Sequence, residues 1–172
     1  MGALHLSCAV LLSLVFGAAV VGKARSRERL RAFAAELSGF SWLAAKLRQA
    51  TAVVVVAGEL ASVVLIWTAA RWGGLLALAL LLAFSVATVS ADRAADCQCF
   101  GVTTGEPAGS TGLFLTRNAV LTTAAAVVAF TPLAQPVLLT AIAAVLGGGL
   151  ASVLAIRTDD LAYLLAGPHR HT

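Results

Sequence analysis

The sequence predicts an all-α protein: a polytopic transmembrane helical bundle of about five spans with a four-helix core, plus an interfacial amphipathic helix. Of its 172 residues, 60% are hydrophobic and only 12% are charged, and the mean hydropathy is +0.94. A soluble domain is roughly 45–50% apolar and about a quarter charged. Twelve basic and eight acidic residues are too few to cover a water-soluble domain of this length. The chain is therefore expected to meet lipid, as a single membrane domain over residues 1–172.

Five apolar stretches have the length that a bilayer crossing requires, about 20 residues at 1.5 Å each. The predicted spans are approximately residues 4–22, 51–70, 73–90, 117–131 and 137–156. No basic residue precedes the first stretch, which favours a retained helix over a cleaved signal peptide. The fourth span is short unless residues 113–115 join it. We expect a tight turn at residues 71–74, and the glycines at 147–149 should permit close helix approach.

Residues 26–48 differ in kind from these spans. Apolar side chains recur there at helical spacing, and most charged residues lie off that stripe. The pattern predicts an amphipathic helix on the lipid headgroups, with Ser26 as its cap and a break near Ser38-Gly39. A solvated linker helix is the alternative.

The basic residues concentrate on one side of the predicted bundle. The 23–48 segment carries seven of the twelve Lys and Arg residues, the 91–116 loop together with the adjoining Arg117 carries two, and the C-terminal tail carries two, whereas the other side carries only Arg71. The positive-inside rule makes the first side cytoplasmic. The cluster is typical of a segment beside anionic headgroups and does not predict a nucleic-acid partner. We expect a multi-pass protein of the cell membrane whose first partner is the lipid bilayer.

The loop at residues 91–116 contains the most reactive pattern, Cys97-Gln98-Cys99. Two thiols one residue apart close a disulfide only in a distorted ring, and a strained, exposed disulfide exchanges readily. A soft metal is the second interpretation, but a zinc site needs further ligands and the loop has no His, so no metal is predicted. The third interpretation is that Cys97 and Cys99 are inert thiols. Cys8, in the first span, is expected to be a packing residue.

Glu59 is the single carboxylate of the second predicted span. Such a residue is costly in lipid and tends to face the bundle interior. Lys23 and Arg117 enter from the same side and are the expected partners. Glu59 could accept a proton or contact a small ligand such as a quinone headgroup, or it could form an interhelical hydrogen bond that fixes the bundle. Arg117-Asn118 is interpreted as a headgroup anchor followed by a helix-cap amide.

Taken together, these features resemble the MauE/DoxX-like family of redox-associated membrane proteins, specifically the methylamine utilisation MauE group. The carrying residues are, in chain order, Gly22-Lys23, Glu59, Cys97-Gln98-Cys99-Phe100-Gly101 and Leu115-Thr116-Arg117-Asn118. The family pattern is Cys-Gly-Cys-Phe-Gly followed by an Arg-Asn pair, so Gln98 is a departure that makes the turn between the thiols less permissive.

The resemblance implies a membrane protein of amine metabolism that supports disulfide formation in, or maturation of, the small subunit of an amine dehydrogenase. Its implied redox pair is Cys97 and Cys99, with Glu59 as an intramembrane carboxylate. The supporting residues are then Lys23, Phe100, Gly101, Arg117 and Asn118.

On this hypothesis the chain is a thiol–disulfide oxidoreductase component. Its partner is a thioredoxin-like protein or an amine dehydrogenase subunit. No cofactor is firmly predicted, and a quinone is the candidate. The alternatives are a non-catalytic assembly subunit of a redox complex and a small-molecule permease. The family role requires the cysteines to face outward, whereas the charge distribution places them on the cytoplasmic side.

Overall fold

The structure is a computed structural model that describes residues 2–39, 43–90, 111–132 and 137–157. All the regular elements in these ranges are helical. They are α1 (Gly2–Ala24), α2 (Arg27–Glu36), a 3₁₀ turn (Leu37–Gly39), α3 (Ala45–Thr68), α4 (Ala70–Val89), α5 (Thr111–Phe130) and α6 (Leu138–Ile156). Within the described chain, α1, α3, α4, α5 and α6 are long and apolar enough to cross a membrane. The predicted all-α membrane class with five spans is confirmed.

Four of these helices form the core of the bundle. Helix α1 packs on α3 and α5, and α4 packs on the same two helices, so α3 and α5 each pack mainly on α1 and α4. Helix α6 lies outside this group and packs on α1. The predicted four-helix core is therefore present, with α6 as a fifth span on its periphery.

The centre of the core is filled by apolar side chains from α1, α3, α4 and α5. Leu12 and Val128 are among its most deeply buried members, at 0% and 1% exposure. Cys8 belongs to the same cluster and is 9% exposed, which confirms its prediction as a packing residue. Because lipid tails are as apolar as these side chains, close packing rather than the hydrophobic effect holds such helices together.

The turn predicted at residues 71–74 is wrong. Helix α3 ends at Thr68 and α4 begins at Ala70, so residues 71–74 belong to the first turns of α4. Gly73 and Gly74 are buried where helices approach closely: a methyl group on Gly74 would lie 2.6 Å from the backbone nitrogen of Ala129 on α5. The glycines therefore permit a helix contact, which local sequence cannot distinguish from a turn.

Two predicted boundaries also change. Helix α5 begins at Thr111 instead of 117, so residues 113–115 do join the span and the predicted loop 91–116 overlaps its first turns. Helix α3 begins at Ala45 instead of 51, which shortens the predicted amphipathic segment 26–48. In both places polar side chains occupy the end of a helix, and a hydropathy pattern assigns such residues to the preceding loop.

Helix α2 has the predicted cap and the predicted break. The side chain of Ser26 accepts a hydrogen bond of 3.2 Å from the backbone N–H of Arg29. The α-helix ends at Glu36 and a 3₁₀ turn follows over Leu37–Gly39. The helix packs on α1 and α3, with Ala34 buried. Its apolar stripe therefore contacts the bundle, and its arginines are exposed, as expected of a helix at the membrane surface.

Helix α6 is attached to α1 along a line of small residues. The hydroxyl of Ser7 donates a hydrogen bond of 2.8 Å to the carbonyl of Ala144. A methyl group on Gly148 would lie 2.5 Å from the carbonyl oxygen of Ser7, whereas one on Gly147 or Gly149 would meet no atom within 4 Å. The close approach predicted for the three glycines is confirmed for Gly148 alone.

We predict that Gly148→Ala lowers the stability of the purified protein and Gly147→Ala does not. The added methyl group at Gly148 meets the backbone of Ser7, and such overpacking costs about 1–3 kcal/mol. At Gly147 the space is open, and alanine has the better helix propensity. Thermal unfolding of both variants in the same detergent measures the difference. Equal midpoints for the two variants would contradict the observed α1–α6 contact.

Candidate functional site

The core contains a buried ion pair between Lys23, near the end of α1, and Glu59, in the middle of α3. The Lys23 ammonium donates a hydrogen bond to Oε1 of Glu59. The two side chains are only 3% and 1% exposed, so each charge is compensated by the other rather than by water. Lys23 is one of the two partners that the sequence predicted for Glu59.

Two aromatic rings complete the surroundings of the Lys23 ammonium. Its nitrogen lies 4.9 Å from the ring centroid of Phe33 on α2 and 5.3 Å from that of Phe84 on α4. Both distances are within the roughly 6 Å at which a ring face attracts a cation. Lys23 therefore joins α1 to α2, α3 and α4. Sequence reasoning did not select Phe84, because a phenylalanine inside an apolar span carries no distinguishing signal.

The end of α2 also lies within the field of this ammonium. Partial desolvation raises the pKa of the Glu36 carboxyl, and the charge of Lys23 opposes part of that rise. The Phe33 ring beside the ammonium and the buried Ala34 therefore account for the packing of α2 on the bundle next to the ion pair.

Asn118 connects α5 to α4. Its side-chain nitrogen donates one hydrogen bond of 2.9 Å to the carbonyl of Leu81 and another of 2.7 Å to the hydroxyl of Ser85. The residue is 4% exposed and lies about two turns inside α5. The prediction of a helix-cap amide is therefore wrong, because the helix starts earlier and the amide serves an interhelical contact. Ser85 was not predicted.

A small cavity of about 20 Å³ lies beside these groups. All four core helices line it: Val15, Phe16, Ala19 and Lys23 of α1, Glu59 of α3, Leu81 and Phe84 of α4, and Phe114, Arg117, Asn118 and Leu121 of α5. The Arg117 guanidinium also lies 5.4 Å from the ring centroid of Phe114. This volume suits about one water molecule, far below the ~300–1,000 Å³ of drug-sized ligand sites.

The neutrality of the ion pair bears on what Glu59 can do. Adding a proton to Glu59 would leave the Lys23 ammonium buried without a counter-charge, which is costly in a membrane interior. The geometry therefore favours the interhelical interpretation of Glu59 over that of a free proton acceptor.

The structure brings together Lys23, Glu59, Arg117 and Asn118 around this cavity. The other predicted site residues, Cys97, Cys99, Phe100 and Gly101, lie outside the described residues. Their segment leaves α4 after Val89 and enters α5 at Thr111. Phe84 and Phe114, which line the cavity, lie within about two helical turns of those two helix ends.

These features define a polytopic helical membrane protein with a buried lysine–glutamate pair inside a four-helix core. The family model of methylamine utilisation protein MauE matches residues 1–131, which include α1 to α5 and both closely spaced cysteines. The chain therefore belongs to the MauE family, a family of membrane proteins of methylamine utilisation. No curated protein and no solved structure matches the chain.

We predict that Lys23→Met destabilises the protein strongly. The variant leaves the Glu59 carboxylate buried and unpaired, and breaking a buried pair in this way costs about 3–5 kcal/mol. The double variant Lys23→Met/Glu59→Met should recover much of that loss, because both charges are then removed. Thermal unfolding in detergent measures the three proteins, with exposed Lys46→Met as the control for loss of a lysine. A double variant less stable than Lys23→Met alone would contradict the buried pairing.

We predict a smaller loss of stability for Asn118→Ala, about 1 kcal/mol for each of its two hydrogen bonds to α4. Thr123→Ala is the matched control, since that hydroxyl is exposed and bonds only within α5, to the carbonyl of Ala119. Unfolding midpoints that fall equally in both variants would show that the contact between α4 and α5 contributes nothing.

Proposed function

We propose that the protein is a thiol–disulfide component of the cell membrane, in which Cys97 and Cys99 are the redox pair. It supports disulfide formation in, or maturation of, a partner such as an amine dehydrogenase subunit. Membership of the MauE family supports the pathway. The observation that supports the proposal is that α4 and α5, between which Cys97-Gln98-Cys99 lies in the sequence, are bonded to each other through Asn118 and line one cavity with the buried ion pair.

The proposed reaction is an exchange of one disulfide for another. A thiolate of the reduced partner attacks one sulfur of the Cys97–Cys99 disulfide, so that bond breaks and a mixed disulfide forms. A second partner thiolate then attacks the mixed disulfide and releases the second cysteine as a thiolate. The partner loses two electrons and the pair gains them. A disulfide of a thioredoxin-like protein returns the pair to its oxidised form by the same exchange.

The core residues have a positioning role in this proposal. Asn118 ties α5 to Leu81 and Ser85 of α4, and these are the two helices that carry the cysteine segment. The Lys23–Glu59 pair joins α1 to α3 in the same part of the core. Together these contacts hold both ends of the segment at a fixed separation, which favours presentation of a closely spaced dithiol to a partner protein.

The side of the membrane is part of the proposal. Maturation of an exported subunit requires Cys97 and Cys99 on the outer face, whereas eleven of the twelve basic residues favour the cytoplasm for that side of the bundle. A disulfide persists more readily outside the reducing cytosol. Because the side of the membrane affects whether a disulfide persists, the test measures both the redox state of Cys97 and Cys99 and their accessibility from outside the cell.

The test uses the full chain with Cys8→Ala, which leaves Cys97 and Cys99 as its only thiols. Alkylation of denatured cell extracts with a mass-tagged maleimide should add few tags before reduction and two tags after it. A membrane-impermeant maleimide applied to reduced intact cells then reports the side. Two tags before reduction, in every growth condition, would show a pair that does not oxidise and would refute the proposal.

The functional readout is the disulfide content of a co-expressed amine dehydrogenase subunit. Cys97→Ser and Cys99→Ser should each lower it towards the level seen without the membrane protein, whereas Cys8→Ala should not, because Cys8 is buried in the apolar core. An unchanged content in the double serine variant would favour a non-catalytic assembly subunit. Uptake of methylamine into proteoliposomes would instead favour a permease.

A further inference from the structure

The Glu59 carboxylate has one oxygen that the ion pair does not use. The side chain is 1% exposed, and its Oε1 accepts the hydrogen bond of Lys23. Its Oε2 is buried and has no hydrogen-bond partner within the described part of the chain. A buried acceptor without a donor destabilises the folded protein by about 1–3 kcal/mol or more. A bound group that donates a hydrogen bond to Oε2 would remove this penalty.

A second acceptor borders the same cavity. Both hydrogens of the Asn118 side-chain nitrogen are used in the bonds to Leu81 and Ser85 of α4. The group of Asn118 that is left for the cavity is therefore its carbonyl oxygen, Oδ1. Glu59 lies on α3 and Asn118 on α5, two core helices that each pack mainly on α1 and α4.

Charge and volume limit what can bind between these two oxygens. The Lys23–Glu59 pair is neutral, so a cation would place a second positive charge beside the Lys23 ammonium. Arg117 adds a second cation to the lining, which strengthens the case against a bound cation, and an anion would lie against the unpaired Oε2 of Glu59. The cavity volume of about 20 Å³ admits about one water molecule.

We infer that the cavity is a binding site for one internal water molecule, which donates its hydrogens to Glu59 Oε2 and Asn118 Oδ1. Internal waters typically make about three hydrogen bonds. Lys23 and Arg117 line the same cavity and carry only donors, so either can supply the third. The water joins α3 to α5 across the core without changing its charge. This site stands whether or not Cys97 and Cys99 exchange disulfides.

X-ray radiolysis of the full-length protein in nanodiscs tests the site. Radiolysis of a bound water makes a hydroxyl radical in place, which oxidises buried side chains next to it. Leu81 and Leu121 line the cavity and are 3% and 2% exposed, whereas Leu12 is 0% exposed and belongs to the apolar core cluster but not to the cavity lining. Oxidation at Leu81 and Leu121 should exceed that at Leu12 several-fold. Equal yields at all three leucines would overturn the inference.

The variant Ala19→Val provides the matched control. Ala19 is 4% exposed and lines the cavity, so the substitution adds two methyl groups to the wall while it keeps every polar group. Oxidation of Leu81 and Leu121 should fall to the level of Leu12. Persistent oxidation in the folded variant would mean that the radicals come from elsewhere, which would also overturn the inference. If the variant does not fold, the oxidation of Leu81 and Leu121 relative to Leu12 in the unmodified protein still tests the inference.

Discussion

The arrangement of the helices depends on the burial of one lysine and one glutamate in a bundle that faces lipid. A charged side chain in the bilayer interior is costly, and it is tolerated where an opposite charge meets it inside the protein. Because Lys23 lies near the end of α1 and Glu59 in the middle of α3, their pairing fixes how these two helices pass each other. Phe33 and Phe84 then place α2 and α4 around the same ammonium.

Close packing supplies the rest of the cohesion, since helices in lipid gain little from excluding water. Glycines permit close approaches between helices, for example at Gly74 against α5 and at Gly148 against α1. Polar side chains add directional contacts between the same helices, as Asn118 does to α4 and Ser7 to α6. The core helices are thus held to one another both by close packing and by these polar contacts.

Much of the fold could be predicted because hydropathy is a local property that accumulates over a whole span. The all-α class, the five crossings, the cap at Ser26 and the break after Glu36 all follow from short stretches of sequence. Four of the eight predicted site residues lie together: Lys23 forms an ion pair with Glu59, and Arg117 and Asn118 line the same cavity. Family membership, expected from the order of the motifs, is confirmed by the match over residues 1–131.

By itself, then, the sequence determined that this chain must lie in a membrane, that it has about five spans, and that Glu59 needs a partner there. Only the tertiary structure decided that the partner is Lys23, that Asn118 bonds to α4 rather than capping α5, and that Gly73 and Gly74 serve a helix contact rather than a turn. Each of these depends on which helix faces which, and at what distance. A one-dimensional pattern contains no such information, because the same polar or small residue is equally compatible with a loop, a helix end or a packed interface.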